Sequence, residues 1–294
     1  MKPNIPVVGA PAVNVELPYR PPYDWPAMLR FLADRAIDGV ESVEGLSYQR
    51  TVRVVDSGDE YLGWIHIEPL PDQHALKLLL SPSLAGVAPQ VIERVRHFMD
   101  TQRDPHAVSA VLGDLAAASP GLRLPGAMDG FELAVRAVLG QQITVRAART
   151  LAGRFATAFG QQLEAPRVNV VFPKAGDVAR RRMAAIAKLG VVAARSQAII
   201  DIAKAIGDGL LDLRPGAPVE PTLTALRAIR GVGEWTAQYI AMRALGWQDA
   251  FPHSDLALCR ALGGCSPKEA LGMSERWRPL RAYAVMHLWH SQRK

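Results

Sequence analysis

The feature that most constrains this chain is a change of texture near residue 86. Before it, short segments rich in Val, Ile and Tyr read as strands at Tyr48–Val55, Tyr61–Glu68 and Ala75–Leu80. They are separated by the breakers Ser57-Gly58-Asp59 and Pro69-Leu70-Pro71-Asp72. A helix is predicted ahead of them, because Asp24-Trp25-Pro26 is a start signal and Met28, Leu29, Phe31, Leu32 and Ile37 follow at helical spacing. After residue 86 strand signals nearly vanish. Alanine-rich periodic segments predict helices over Val91–Thr101, Ala107–Ala117, Phe131–Leu139, Val145–Phe159, Asp177–Ala187 and Arg195–Ile206. Others are predicted over Leu223–Ile229, Trp235–Leu245, Leu256–Leu262, Pro267–Leu271 and Ser274–Trp289. Asp129 with Glu132 reads as a capping box in front of Phe131. So many short helices, with no fixed-period repeat, exclude a coiled coil or a solenoid. The expected fold class is α+β: a small amino-terminal antiparallel sheet carrying helices, then an irregular helical part.

Composition narrows the function. The chain has 294 residues, enough for about two domains. With 49% hydrophobic and 21% charged residues and no acidic tract, it can bury a sizeable core. No run reaches the ~18 apolar residues of a membrane helix. Met1-Lys2-Pro3-Asn4 lacks the pattern of a signal peptide. Cys259 and Cys265 are too few for a disulfide framework or a four-cysteine metal site, so a soluble intracellular protein is expected. Thirty-four basic against 28 acidic residues give +6 and a pI near 9.5, which suits a polyanion, although many basic proteins bind none. Five of the basic residues (Arg276, Arg278, Arg281, Arg293 and Lys294) follow the last acid, Glu275.

The sharpest local signal is Leu226-Arg227-Ala228-Ile229-Arg230-Gly231-Val232-Gly233-Glu234-Trp235-Thr236-Ala237, where one helix ends and another begins across Gly-Val-Gly. Glycines permit positive φ and the close approach of another backbone. The following helix opens with unpaired N–H groups and a positive dipole end, which suit a phosphate. This is a helix-hairpin-helix pattern; the competing reading is an ordinary tight turn. Twenty-two residues after Gly233, Asp255 sits in Phe251-Pro252-His253-Ser254-Asp255-Leu256, a loop entering an apolar helix. Alone, Asp255 or Ser254 reads as an N-cap, and the same carboxylate can also serve as a fixed negative charge.

With the hairpin and the aspartate in order, the sequence resembles the helix-hairpin-helix DNA glycosylase superfamily, and within it the bacterial 3-methyladenine DNA glycosylase II family. The resemblance runs nearly end to end. It includes Pro21-Pro22-Tyr23-Asp24-Trp25, Ser119-Pro120-Gly121-Leu122-Arg123-Leu124-Pro125-Gly126, Val138-Leu139-Gly140-Gln141-Gln142, the hairpin, and Glu275-Arg276-Trp277-Arg278-Pro279 through His287-Leu288-Trp289.

The resemblance implies an amino-terminal α/β domain (1–103) followed by two all-α domains enclosing a cleft. One would comprise 130–247, with the hairpin at about 221–246; the other, 104–129 plus 248–294, would carry the catalytic aspartate, Asp255. Phe31, Trp235, Tyr239 and Trp289 match base-pocket positions, where cation–π attraction would hold a flipped base; read alone, aromatics at helical spacing build cores. Gln142 matches the side chain that enters the duplex, or is a loop residue bonded to backbone. Gly231, Val232 and Gly233 would bind DNA. The sequence departs from the family pattern at Ser254 and Leu256, which bears on substrate range. Bifunctional relatives carry a lysine where Trp235 stands, so strand cleavage is not expected. No metal or required cofactor is expected, beyond a structural monovalent cation at the carbonyls of Arg227, Ile229 and Val232. The implied protein is cytoplasmic and acts in base-excision repair on double-stranded DNA containing alkylated bases, without an obligate protein partner. The alternatives are a glycosylase for deaminated or mismatched bases and a non-catalytic DNA-binding module.

Overall fold

Residues 12–292 are described by a computed structural model of the protein. The amino-terminal Met1–Asn4 and the basic Arg293 and Lys294 lie outside them. The first part is a five-stranded sheet of β1 (Val13–Pro18), β2 (Glu41–Glu44), β3 (Ser47–Asp56), β4 (Asp59–Leu70) and β5 (Ala75–Leu80), in the order β1-β5-β4-β3-β2. Every pairing is antiparallel. The three predicted strands are its centre, and β1 and β2 are its edges. Between β1 and β2 runs α1 (Trp25–Ala33), started by the Asp24 carboxylate, which accepts from the Ala27 N–H at 2.9 Å.

The helices follow as α2 (Ala88–Met99), α3 (Pro105–Leu112), α4 (Asp114–Ala117), α5 (Gly130–Leu139), α6 (Val145–Phe159), α7 (Ala175–Val178), α8 (Met183–Ala187) and α9 (Ala193–Gly207). A two-residue ribbon, β6 (Gln161–Gln162) with β7 (Val170–Val171), interrupts them. The hairpin helices are α10 (Val219–Ala228) and α11 (Glu234–Ile240), and α11 runs on as a π-helical turn, Ala241–Leu245. The chain ends in α12 (Leu256–Ala261), α13 (Pro267–Ser274) and α14 (Arg281–Ser291).

Three predicted helices are broken. A turn at 179–182 divides Asp177–Ala187 into α7 and α8. Gly113, at φ 57, divides Ala107–Ala117 into α3 and α4. Pro279 has no N–H to give, and a short 3-10 turn at Glu275–Trp277 precedes it, so Ser274–Trp289 is not continuous. The capping box at Asp129 is only half formed. Its carboxylate accepts the Glu132 N–H at 2.8 Å, but the Glu132 side chain pairs with Arg50 at 2.6 Å and Arg136 at 2.9 Å. The complete box is at Ser266 and Glu269.

Two hydrophobic cores result. The first packs the sheet with α1 and α2 and then takes in the carboxy-terminal helices through Leu258, Tyr283, Val285 and Leu288. The second is made by α5, α6, α9, α10 and α11. A buried cluster of Glu41, Arg50, Glu132 and Arg136 bolts β2 and β3 to α5, with Tyr48 donating to Glu41 at 2.6 Å. Burial would raise the Glu41 pKa, but Arg136 and Arg50 outweigh it and hold the carboxyl below its ordinary value. Tyr239 and Trp247 touch both cores, so the seam between them passes the end of α11 and the π-helical turn that follows it.

Candidate active site

Asp255 is the N-cap of α12: its Oδ1 accepts the Leu258 N–H at 2.9 Å. The capping reading is therefore correct, and it leaves the carboxylate free to do more. Oδ1 also accepts from the Trp289 indole Nε1 at 3.1 Å, and Oδ2 accepts from the Trp235 Nε1 at 2.9 Å. The three donors come from α12, α14 and α11, so one side chain ties three helices at the seam. A carboxylate that accepts several N–H groups is fixed in direction as well as position.

Three of the four aromatics predicted for a pocket meet. Trp235 and Tyr239, one turn apart on α11, stack with ring centroids at 5.3 Å and planes only 6° apart. Trp289 of α14 lies 6.2 Å from Tyr239, tilted by 50°. All three are half-buried, as is Asp255, so they form an open shelf rather than a closed cavity. A groove of about 1070 Å³ elsewhere, along α6, holds none of them. Phe31 differs from the other three. It is buried in the first core, and the Arg35 guanidinium already covers its ring at 3.9 Å. Arg243 links it to the shelf, with its guanidinium 5.0 Å from the Phe31 centroid and 5.7 Å from that of Tyr239.

Arg243 is buried in the π-helical turn. Its Nη1 donates to the Tyr239 hydroxyl at 2.8 Å. Burial pushes the Tyr239 phenol up, but the charges of Arg243 and Arg35 and that hydrogen bond outweigh it and leave its pKa below the ordinary value. Sequence reasoning passes over Arg243, although a signal is present: a charge inside the apolar run Ala241–Leu245, four residues after Tyr239.

The hairpin shows which groups face solvent. Gly231 takes φ 93, the left-handed region that favours glycine, while Gly233 at φ −87 starts α11 and has nothing within 4 Å of where a Cβ would stand. Both glycines are exposed, whereas Val232 is 5% exposed and plugs the second core, its N–H donating to the Ile229 carbonyl at 3.0 Å. A second missed residue, Gln141, braces the turn: its Nε2 donates to the Gly231 carbonyl at 2.8 Å and the Thr236 hydroxyl at 3.0 Å. Its neighbour Gln142 is exposed at φ 54, a conformation costing an L-residue about 1 kcal/mol.

Among the described residues, the arginines of the basic carboxy-terminal segment are engaged within the protein. Arg281 is buried and paired two-pronged with Asp249 at 2.8 and 2.9 Å; Arg278 pairs with Asp249 and Glu275; Arg276 lies over the Trp277 ring at 4.6 Å. The exposed glycines of the hairpin lie outside this ion-paired segment. Ser254 and Leu256, where the family pattern is broken, are both exposed, Leu256 by 74%, on either side of Asp255.

Comparison with known proteins assigns the family. Residues 14–129 match the AlkA N-terminal domain, and residues 135–270 match the HhH-GPD superfamily base excision DNA repair protein. The chain is 37% identical over 278 residues to DNA-3-methyladenine glycosylase 2 of Escherichia coli, covering 94% of this chain and 96% of that one. It is 34% identical over 179 residues to DNA-3-methyladenine glycosylase of Bacillus subtilis, 58% of this chain and 59% of that one. A 3-methyladenine DNA-glycosylase from Archaeoglobus fulgidus shares the fold, with a TM-score of 0.75 over 96% of this chain and 98% of that one, at 18% identity. With identity of this extent spread over nearly both full lengths, the chain belongs to the DNA-3-methyladenine glycosylase 2 family of helix-hairpin-helix base-excision repair glycosylases.

Proposed function

We propose that the protein is a monofunctional glycosylase that flips alkylated purines such as 3-methyladenine out of duplex DNA and hydrolyses their N-glycosidic bond. The observation that carries this reading is the Asp255 carboxylate held by the indoles of Trp235 and Trp289 at the edge of an aromatic shelf. As the bond from C1′ to the base nitrogen breaks, its electron pair leaves with the base and positive charge develops on the deoxyribose. A preplaced anion stabilises that charge and orients the water that adds to C1′, and the proton the water sheds passes by way of the carboxylate to solvent. An N3-alkylated purine is already cationic and leaves without a strong general acid, so one carboxylate suffices. Stacking on Trp235, Tyr239 and Trp289 supplies about 2 kcal/mol of cation–π attraction when water is excluded.

Flipping costs a few kcal/mol, least at a damaged pair. Gln142, at the exposed turn between α5 and α6, is the side chain we assign to the vacated position in the duplex. The exposed backbone at Gly231 and Gly233 would grip the phosphates, while the Val232 side chain anchors the turn as a plug in the second core. A monovalent cation at the carbonyls of Arg227, Ile229 and Val232 would need the second lone pair of the Ile229 oxygen, since the Val232 N–H takes the first. In the three-part division that this reading carries, the part made of 104–129 with 248–294 would face the part 130–247 across the seam. Among the described residues no helix is long and apolar enough to cross a membrane, in keeping with a cytoplasmic enzyme that meets DNA directly.

Where bifunctional relatives would carry a lysine, this chain has Trp235, and an indole forms no Schiff base. Incubation with methylated DNA should release free 3-methyladenine and leave abasic sites in unbroken strands, with no borohydride-trapped adduct. A trapped adduct with strand breaks would overturn the monofunctional reading; no release of alkylated base would overturn the substrate.

A further inference from the structure

We infer that Arg243 is a positioning residue that aims the Tyr239 hydroxyl proton at a base lying edge-on to the ring, and so sets how far the shelf accepts neutral bases alongside cationic ones. The inference rests on the glycosylase reading above. All three guanidinium nitrogens of Arg243 are in use. Nε donates to the Pro125 carbonyl at 2.8 Å, Nη2 to the Gly126 carbonyl at 2.9 Å, and Nη1 to the Tyr239 oxygen at 2.8 Å. Two carbonyls and a phenol are its partners, none of them an anion. The main chain is held as well: the His97 ring lies 3.2 Å from the Arg243 carbonyl. Burial holds the His97 pKa below its ordinary value.

A guanidinium can only donate. The Tyr239 oxygen must therefore accept, and its own proton must turn away from Arg243. A phenolic O–H lies in the plane of its ring, so the proton sits on the ring edge away from Arg243; among the described residues no group accepts it, and with Tyr239 half-buried it is left for a base lying edge-on to the ring. Polarisation by the buried cation also makes the phenol a stronger donor, in keeping with its lowered pKa. A donor at this place does nothing for a positive charge. It suits a neutral purine that presents a carbonyl oxygen, which gains little from cation–π attraction and needs another hold. A site that offers a hydrogen bond rejects ligands unable to complete it more sharply than a purely apolar one does.

The test compares single-turnover excision of hypoxanthine, neutral and carbonyl-bearing, with that of cationic 3-methyladenine. The proteins are wild type, Tyr239→Phe, Arg243→Met, Arg243→Lys and the Tyr239→Phe/Arg243→Met double variant. Tyr239→Phe and Arg243→Met should each lower the hypoxanthine to 3-methyladenine ratio at least about fivefold, the scale of one hydrogen bond. The double variant should be no lower than Tyr239→Phe, and Arg243→Lys should restore part of the ratio. A parallel fall for both bases, multiplying effects in the double variant, or a wild type that releases 3-methyladenine but no hypoxanthine would overturn the inference. Should Arg243→Met fail to fold, Tyr239→Phe still decides, since an unchanged ratio there overturns it alone. A wild type that releases neither base would overturn the glycosylase reading itself.

Discussion

At the scale of single residues, Asp255 joins a structural role to a chemical one. Its cap on α12 and its bonds to two indoles use the same two oxygens, so losing the indole donors should loosen the charge without unfolding the helix. Trp235→Phe keeps a ring to stack on Tyr239 but removes the N–H to Oδ2. We expect kcat to fall about tenfold, the worth of a hydrogen bond to a charged group, with KM nearly unchanged. A rise in KM alone, measured by steady-state base release, would mean that Trp235 only stacks. Asp255 and the aromatics were legible through the family resemblance; read alone, Asp255 is an N-cap, which it also is, and the aromatics are core residues. Arg243 and Gln141 were not, because what defines them is a partner distant in sequence: Pro125 and Gly126 for one, Gly231 for the other.

At the scale of elements, the hairpin glycines differ in what they permit. Alanine at Gly231 would be strained at φ 93, so its effect on DNA binding would be mixed with misfolding. Gly233 has an ordinary φ and open space, so Gly233→Ala should change stability by no more than about 1 kcal/mol as an N-cap substitution. If the hairpin grips phosphate as proposed, the added methyl would stand in the path of that contact. Affinity for damaged and undamaged duplex should fall by the same factor, since phosphate contacts carry no sequence information. Fluorescence anisotropy on both duplexes checks this, and selective loss for damaged DNA would place the hairpin in the pocket instead. Helix α6 was legible to its ends from its amphipathic period. Strand β1 shows readable alternation at Val13, Val15 and Leu17, whereas β2 has only Glu-Ser-Val-Glu and is a strand because β3 pairs with it.

At the scale of the whole molecule, the carboxy-terminal helices close back onto the first core, which no local pattern announces. The closure shows in Tyr283 of α14, whose hydroxyl donates to Asp100 at the end of α2 at 2.9 Å. Burial pushes the Asp100 carboxyl up from 3.8 to about 6 and the His287 imidazole down from 6.5 to about 4. The two act in opposite directions. The Asp100 contribution to stability is present below pH 3.8 and lost as pH rises through about 6; that of His287 is present above 6.5 and lost as pH falls through about 4. Each amounts to about 3 kcal/mol, so between pH 6 and 4 they nearly cancel. Asp100→Asn, tolerated at φ 52, removes the offset, and its stability in urea should fall more steeply than that of wild type from pH 6 to 4. Equal slopes would mean that Asp100 is not perturbed. The central claim, that a single fixed carboxylate at the seam performs the hydrolysis, is tested most directly by single-turnover release of 3-methyladenine by wild type and Asp255→Asn. Asparagine caps α12 but cannot supply the charge, so excision should drop by about 10²-fold or more while damaged-DNA affinity stays within a few-fold. Near-wild-type release by a folded Asp255→Asn protein would contradict it.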